Sequence, residues 1–248
     1  MLWQQLHGAS HIKPIQGTLF RLVESQAKVA TLDYVDTLEE QALLEELLET
    51  AKPAYRDELH QLHYLLRSPF RYPPLPWGSR FGRTHEPSLF YGGGSIHTTL
   101  AESAYYRFLI WHSMESPPVR DRIHTEHTLF SARYRSTQGV QLHKAPFSAY
   151  RHELTHPSDY SVCQQLGTAM REAGVEAFQY QSARDGKGGF CVALFTPTCF
   201  QGRQPGDISL WQCELDATSA TFRQTASNTL TRFDLADFLH GGQLPLPA

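Results

Sequence analysis

The sequence lacks any dense run of Lys or Arg, and its 22 basic and 25 acidic residues give a formal charge of -3 at pH 7. A basic stripe is the electrostatic mark of a nucleic-acid-binding domain, so its absence argues against direct contact with nucleic acid. No apolar run reaches the roughly 20 residues that a membrane-spanning helix needs. The first residues, MLWQQLHGAS, also lack the basic and apolar segments of a secretory signal. These absences favour a cytoplasmic protein that does not enter a membrane.

Cysteine is also scarce, and none of the cysteines stands in a CxxC pair. They are Cys163, Cys191, Cys199 and Cys213. So few cysteines do not make the disulfide framework of a small secreted protein, and reduced thiols are expected. His124 and His127 are further candidate metal ligands, but no ligand cluster lies near them at a recognisable spacing. No metal site is therefore predicted, although a metal-dependent hydrolase using these histidines is an alternative.

The chain does contain enough apolar residues for a sizeable core. Of its 248 residues, 41% are hydrophobic and 12% aromatic, which suits one large domain covering 1–248. Periodicity predicts strands over residues 17–23, 88–91, 121–134, 175–181, 189–195, 208–215 and 220–224. Helices are predicted over residues 36–52, 54–66, 98–111, 158–173 and 234–239. Ser158 is expected to cap the fourth helix and a left-handed Gly174 to end it, and the prolines at 69, 73, 74 and 76 predict an extended connection. The polar residues 135–157 are predicted to form a loop, and the whole pattern indicates an α+β fold.

The first two predicted helices form a helical hairpin over about residues 36–67. Asp36 or Thr37 caps the first helix, Glu39 completes a capping pair with Asp36, and Pro53 ends the helix. Its apolar stripe consists of Leu43, Leu44, Leu47 and Leu48. We expect this stripe to pack into the core. The alternative is an exposed surface that binds a partner protein.

The most informative stretch is residues 77–107, which begins with an arginine between two glycines. Arg80 lies between Gly78 and Gly82, where a bare backbone lets an anion approach and the guanidinium offers a planar fork of donors. This arrangement suits a phosphate group. A solvated loop arginine is the plain structural alternative.

Tyr91 and Glu102 follow in the same stretch. The glycines at 92–94 are expected to break a short strand and so to place Tyr91 at its exit, beside a cleft. The helix that starts at Thr98 or Thr99 puts Glu102 in its first turn, where the helix dipole favours an ionised carboxylate. Taken singly, Tyr91 also fits a core aromatic residue and Glu102 an exposed acid.

Two polar residues outside this stretch complete the set. Arg21 shares a face of the first strand with Leu19 and Val23, and a buried guanidinium needs a partner or a polar cleft. Ser182 stands at the end of a strand, where its hydroxyl can reach the same cleft. An edge-strand arginine in solvent and an ordinary turn serine are the corresponding plain interpretations.

Together, these residues suit a dinucleotide such as NAD. They are Arg21, Arg80, Tyr91, Glu102 and Ser182. Arginines bind a diphosphate, a tyrosine stacks on nicotinamide, and a carboxylate and a serine bond to ribose hydroxyls. Breaking the nicotinamide–ribose bond builds positive charge on the ribose, which an ionised glutamate stabilises. A Rossmann site is not predicted, because residues 92–94 do not form GxGxxG and no acidic residue follows at the expected place.

The motifs around these residues resemble those of the RES domain family in order. They are LFR ending at Arg21, GSRFG around Arg80, LFY ending at Tyr91, TLAE ending at Glu102 and YQSAR around Ser182. The resemblance covers roughly residues 18–200 of a single RES-type domain, with the helical hairpin as an insertion and a C-terminal extension after about residue 200. It implies an ADP-ribosyltransferase-like mixed β-sheet core with flanking helices. The family loop commonly reads Arg-Trp-Asn, whereas Phe81 and Gly82 follow Arg80 here, so the amide is lost.

The resemblance also implies a function: the toxin of a toxin–antitoxin system that degrades NAD by cleaving the nicotinamide–ribose bond, with water or phosphate as acceptor. Glu102, Arg21, Tyr91 and Ser182 would be catalytic, with Glu102 as the catalytic carboxylate. NAD, the substrate, would be bound by Arg21, Arg80, Tyr91 and Ser182. An Xre-like antitoxin would be the protein partner, and the oligomeric state stays open, a homo-oligomer included.

Two alternatives to NAD degradation follow from the same resemblance. One is a protein ADP-ribosyltransferase that uses NAD and moves ADP-ribose onto a protein acceptor. The other is a catalytically inactive RES-fold protein that only binds a partner, with the leucine-rich hairpin as its surface.

Overall fold

The structure, a computed structural model, describes residues 1–25, 34–55, 59–116 and 118–246. Its helices are α1 (Leu2–Gln5), α2 (Leu38–Ala51), α3 (Tyr64–Arg71), α4 (Ile96–His112), α5 (Arg151–Leu154) and α6 (Ser161–Glu172). Its strands are β1 (Lys13–Glu24), β2 (Phe90–Gly93), β3 (Ile123–Gln141), β4 (Ala177–Gln181), β5 (Phe190–Leu194), β6 (Ile208–Leu215), β7 (Ser219–Gln224) and β8 (Leu230–Asp234). No helix in the described ranges combines the length and the hydrophobicity that crossing a bilayer requires.

The strands form one eight-stranded mixed sheet built around the long pair β1 and β3. β1 pairs antiparallel with β3 along most of its length, and with β2 through Phe20 and Gly93. Among the other described pairs, β3–β4 is parallel and the rest are antiparallel. β1, β2, β5, β4 and β3 thereby close into a ring, and β6, β7 and β8 continue from β3. The predicted α+β class, with a mixed sheet and flanking helices, is confirmed.

Helix α4 packs against β6, β7 and β8 through the apolar stripe that its sequence predicts. Leu100, Ala104 and Phe108 are buried, whereas Trp111 at the end of the stripe is only partly buried. Burial of a leucine or phenylalanine side chain contributes about 1.5–3 kcal/mol, and burial of an alanine less. Their burial fixes the rotation of α4 about its axis and therefore the direction in which Glu102 points.

Helix α2 forms close to its predicted range and is capped by Thr37, one of the two predicted caps, but its capping box and its environment differ from the prediction. Thr37 and Glu40 form the capping box, because Thr37 Oγ1 accepts from the Glu40 amide at 3.1 Å; the predicted Asp36–Glu39 pair is wrong. The expected burial of the leucine stripe is also wrong. Leu43 and Leu47 are 56% and 57% exposed, and none of the described residues of α2 is buried. An apolar period of this kind predicts a helix, but it does not reveal what covers the apolar face.

The second helix of the hairpin, predicted over residues 54–66, is α3, which begins ten residues later, at Tyr64. Residues 56–58 of the predicted range lie outside the described residues. His63 caps α3 with its side chain, which accepts from the Leu65 amide at 3.3 Å. The helix also continues through Pro69, which was expected to stand in an extended connection. Burial of its apolar side chains outweighs the cost of the proline. These side chains are Leu65, Leu66 and Phe70.

Strand β3 is longer than predicted, and it occupies the start of the region predicted as a loop over residues 135–157. Its polar end pairs with β1 on one side and, at residues 139–141, with β4 on the other. A strand held between two neighbours needs no apolar alternation of its own, which is why the sequence failed to reveal it. The rest of that region contains a 3₁₀ helix, Phe147–Tyr150, and α5.

The remaining differences are smaller. β1 begins four residues before the predicted start, and α6 begins at Ser161 rather than after a Ser158 cap. β8 was not predicted, and the predicted terminal helix over residues 234–239 is a 3₁₀ turn, Leu235–Phe238. β6 occupies its predicted range, 208–215.

Candidate active site

Glu102 lies one turn deeper in α4 than predicted. The helix begins at Ile96, capped by Ser95, whose Oγ accepts from the Thr98 amide at 3.1 Å. The predicted start at Thr98 or Thr99 placed Glu102 in the first turn, and that placement is wrong. Because the dipole effect fades after the first turn, the surroundings of Glu102 depend on its direct contacts instead.

The closest contact of Glu102 is Ser182. The Ser182 hydroxyl donates to Glu102 Oε1 at 2.5 Å and accepts from the backbone amides of Arg184 at 3.1 Å and Asp185 at 3.0 Å. A hydroxyl has one hydrogen to donate and two lone pairs, so all of its capacity is used. Ser182 is buried, with 4% of its surface exposed, which fixes this geometry.

Cys191 on β5 also faces Glu102, with its Sγ 3.6 Å from Oε1. Burial, and then the neighbouring Glu102, raise the pKa of the Cys191 thiol well above its usual range. Cys191 therefore stays protonated and donates its S–H to the carboxylate. In the sequence, no motif or spacing distinguishes Cys191 from the other cysteines.

Asp185 anchors the turn that carries Ser182 to the first turn of α4. Its Oδ2 accepts from Thr98 Oγ1 at 2.8 Å and its Oδ1 from the Lys187 amide at 2.9 Å. A side chain at Gly189 would collide with both Thr98 and Asp185, so a glycine is required there. These contacts fix the turn relative to the helix. They therefore also fix the position of Ser182 relative to Glu102.

Tyr91 lies inside β2 rather than at its exit. The strand continues through Gly92 and Gly93, which pair with Val192 and Cys191 of β5, so the expected break at the glycines is wrong. A side chain at Gly93 would collide with Thr99 of α4. The glycines thus allow α4 to approach the sheet closely, a role that local sequence does not distinguish from a turn.

The Tyr91 phenol is held by the arginine loop, and its backbone by Arg21. Its hydroxyl oxygen accepts from the Phe81 amide at 3.1 Å and lies 2.9 Å from Ser79 Oγ. Burial raises the pKa of Tyr91 to about 12, so the phenol keeps its proton at pH 7. Arg21 Nη1 donates to the Tyr91 carbonyl at 2.6 Å. Burial lowers the pKa of Arg21 to about 10, which still leaves it cationic, and its Nε has no hydrogen-bond partner among the described residues.

Arg80 points away from the core residue that follows it. Phe81 is fully buried, while the Arg80 guanidinium lies 4.3 Å from the centre of the Tyr160 ring. Its Nη1 donates to the backbone carbonyls of His156 at 2.9 Å and Leu154 at 3.4 Å. Burial opposes its charge, but the groups around it, Glu102 among them, outweigh that effect and raise the pKa of Arg80.

Tyr180 of β4 lies between two groups of candidate residues. Its ring packs edge-on against Tyr91 with 6.2 Å between ring centres. Burial raises the pKa of Tyr180 well above its usual range, and Tyr180 pairs with Cys191 of β5, whose thiol faces Glu102. Tyr91 thus contacts the Arg80 loop and Tyr180, while Glu102 contacts Ser182. Arg21 joins them only through the Tyr91 carbonyl, because its guanidinium lies 5.0 Å from the centre of the Phe90 ring, on the other face of β2. Tyr180 belongs to the YQSAR motif, but no role was predicted for it.

Comparison with known protein families gives a match to the RES domain over residues 53–216. The chain belongs to the RES domain family. The matched span covers about two thirds of the chain and includes Arg80, Tyr91, Glu102 and Ser182. It begins after Arg21 and ends beyond residue 200, so it is displaced from the range of 18–200 that the motifs indicate. No curated protein matches the chain.

Two surface cavities of the RES domain lie elsewhere. One, of about 300 Å³, is lined by Phe70, Tyr72 and neighbouring prolines, and the other, of about 170 Å³, by Arg133 and Phe200 among others. Neither is lined by any of the five candidate residues. Around Glu102 the side chains instead contact one another and the backbone of residues 154–157.

The histidines proposed as metal ligands form no cluster. His124 lies 3.0 Å from Glu214 at the surface, and His127 bonds to Thr125 at 2.7 Å. Across the described ranges, no group of three His, Cys, Asp or Glu residues is arranged to hold a metal ion. Among the described residues, no set of ligands therefore supports the alternative of a metal-dependent hydrolase that uses these histidines.

Proposed function

We propose that this RES-domain protein is an enzyme that cleaves the bond between nicotinamide and ribose in NAD. The RES domain is associated with NAD-related enzymatic activity. The observation that carries the proposal is the Glu102 carboxylate that Ser182 fixes. Three cationic or aromatic candidates for NAD binding lie on neighbouring segments, which hydrogen bonds to Tyr91 join. They are Arg21, Arg80 and Tyr91. The closed strand arrangement with flanking helices further supports an ADP-ribosyltransferase-like core.

Glu102 is arranged to act through one of its two oxygens. Oε1 accepts from Ser182 and Cys191, whereas no described residue donates to Oε2. Oε2 is therefore available to stabilise the positive charge that develops on the ribose as the bond to nicotinamide breaks. The bonding electrons leave with nicotinamide, and water or phosphate then attacks the ribose carbon and loses a proton. Removing one such stabilising group typically costs about 100- to 1000-fold in rate.

The other candidates would bind and orient the substrate. Arg21 and Arg80 are both cationic at pH 7 and would attract the diphosphate. Tyr91 keeps its phenolic proton and is only partly buried as a residue, and it would pack against the nicotinamide end. As a toxin, the protein would be held in check by an Xre-like antitoxin.

The test is incubation of the purified protein with NAD, followed by mass spectrometry of the products. Free ADP-ribose, phosphorylated ADP-ribose or an ADP-ribosylated protein identifies the acceptor as water, phosphate or protein. Glu102→Gln, which keeps the shape but removes the charge, should reduce NAD consumption by about 100-fold or more. Glu172→Gln, at an exposed position on α6, is the matched control and should leave it unchanged. NAD consumption by Glu102→Gln at the wild-type rate would contradict the proposal.

A further inference from the structure

Arg184 is a buried arginine that no role in the proposed reaction accounts for. Only 6% of its surface is exposed, and it follows Ser182 by two positions in the turn after β4. Its guanidinium carbon lies 3.4 Å from the centre of the Tyr105 ring, and its Nη2 donates to the Pro157 carbonyl at 2.6 Å. A buried cation is costly unless something compensates its charge, so its position calls for an explanation.

Arg184 and Arg80 hold the same stretch of backbone. Arg184 donates to the carbonyl of Pro157, and Arg80 to those of His156 and Leu154. Tyr105, on which Arg184 packs, stands three positions after Glu102 on α4, so the two side chains are neighbours on the helix surface. The two arginines therefore converge on one region beside the candidate catalytic carboxylate.

The two guanidinium groups in this region are not paired with carboxylates. Within the described ranges, the ion pairs closer than 4.0 Å involve other residues, and neither Arg80 nor Arg184 takes part in one. Aromatic faces and carbonyl oxygens compensate the two charges only partly. Glu102 and the buried Asp185 stand nearby, but neither carboxylate lies within 4.0 Å of either guanidinium group. A ligand group with two negative charges, such as a diphosphate, would complement the pair of arginines.

We propose that Arg184 is a second phosphate-binding residue, which binds the diphosphate of the dinucleotide together with Arg80. The inference rests on the proposed function and adds a binding residue to the same site. The carbonyl oxygens of residues 154–157 are held 2.6 to 3.4 Å from the guanidinium nitrogens, and phosphate oxygens would take the same donors. The guanidinium fork suits this exchange because it offers paired donors to two oxygens of one phosphate. Since Arg184 is buried, the backbone of these residues would move aside when the dinucleotide binds.

The test separates phosphate binding from a merely structural role by comparing two ligands in calorimetric titrations. ADP-ribose carries both phosphates, and nicotinamide riboside carries none. Arg184→Gln should weaken ADP-ribose binding by about 10- to 100-fold, the range expected for loss of a charged hydrogen bond, and leave nicotinamide riboside binding unchanged. Arg184→Lys, which keeps the charge but loses the fork, should weaken ADP-ribose binding by less.

Arg71→Gln is the matched control. Arg71 also lies over a tyrosine ring, 4.0 Å from the centre of Tyr55, and donates to a proline carbonyl, that of Pro53. It stands at the end of α3 and should leave both affinities unchanged. The thermal melting of each variant shows whether it is folded. If Arg184→Gln does not fold, ADP-ribose binding by Arg184→Lys decides whether Arg184 binds phosphate.

Two results would overturn the inference: equal weakening of both ligands by the Arg184 variants, or no weakening of ADP-ribose. Wild-type protein that does not bind ADP-ribose at all would overturn it too. If Arg184 supports ADP-ribose binding but NAD is not consumed, the proposed function fails and this inference stands. If NAD is consumed and ADP-ribose binding does not depend on Arg184, the proposed function stands and this inference fails.

Discussion

Ser182 donates its hydroxyl hydrogen to Glu102 across 80 positions of the chain, at 2.5 Å. The bond joins the turn after β4 to the second turn of α4, and two backbone amides complete the partners of the hydroxyl. With its capacity used in this way, Ser182 is suited to orienting the carboxylate. The resemblance had implied that it holds the ribose or the nicotinamide. We therefore expect Ser182 to affect the rate of the reaction more than the binding of NAD.

Ser182→Ala tests this expectation. The variant leaves the buried amides of Arg184 and Asp185 without an acceptor, so the free energy of unfolding should fall by about 1–3 kcal/mol. The kcat for NAD consumption should fall while KM changes little, because the carboxylate is no longer held. Steady-state kinetics and urea denaturation measure the two effects. Ser113→Ala, at the exposed end of α4, should change the stability by no more than about 0.5 kcal/mol.

Gly167→Ala tests the packing that supports the arginine loop. A side chain at Gly167 of α6 would collide with the backbone carbonyl of Phe81, next to Arg80. Overpacking of this kind costs about 1–3 kcal/mol, and relief requires the loop to shift. Both the melting temperature and the affinity for NAD should fall. Gly202→Ala, where the nearest contact is an ordinary 3.9 Å, should change neither; an unaltered Gly167→Ala protein would contradict the expected contact.

The pH dependence of stability should reflect His127. Burial, followed by the nearby Arg107, lowers the pKa of His127 to about 4, from an ordinary value near 6.5. Between these values the unfolded chain binds the proton and the folded chain does not, so stability falls as the pH decreases through this window. The loss should reach up to about 3 kcal/mol.

Urea denaturation between pH 7 and pH 4 measures this loss. His127→Gln should remove most of the dependence. His124→Gln, on the same strand but with an exposed side chain, should retain it. An identical pH profile for His127→Gln and the wild type would show that another group is responsible.

The two halves of the predicted hairpin should respond differently to mutation. Leu47 on α2 is 57% exposed, so Leu47→Ser should change the free energy of unfolding by no more than about 0.5 kcal/mol. Leu66 on α3 is 1% exposed, and Leu66→Ala should cost about 2–5 kcal/mol through the cavity that it leaves. Chemical denaturation of both variants checks the difference. A large loss for Leu47→Ser would mean that α2 is covered.

Much of the fold was predictable where residues close in sequence decide it. The range of β6 was correct at both ends, and Gly174 adopts the expected left-handed conformation, with φ of 76°, after α6. The polar end of β3 was not predictable, because its strand conformation depends on hydrogen bonds to β1 and β4 rather than on its own pattern. The helical position of Pro69 was not predictable either, because it depends on the burial of the apolar side chains of α3.

The candidate site shows the same division. Single motifs identified Arg80, Tyr91, Glu102 and Ser182 as candidates, because the sequence pattern predicted each beside a glycine, a strand end or a helix start. Nothing local marked Arg184, since an arginine in a polar turn is usually solvated. Its burial becomes visible only once residues 154–157 lie over it.

By itself, the sequence determined the α+β class, the membership of the RES domain family and the identity of most of the polar residues at the site. The tertiary structure alone decided that the leucines of α2 are exposed, that Gly93 allows close packing, and that the Ser182 hydroxyl bonds to Glu102. The physical reason is range. Capping and periodicity act over a few residues, whereas burial and side-chain hydrogen bonds depend on segments that meet only when the sheet closes.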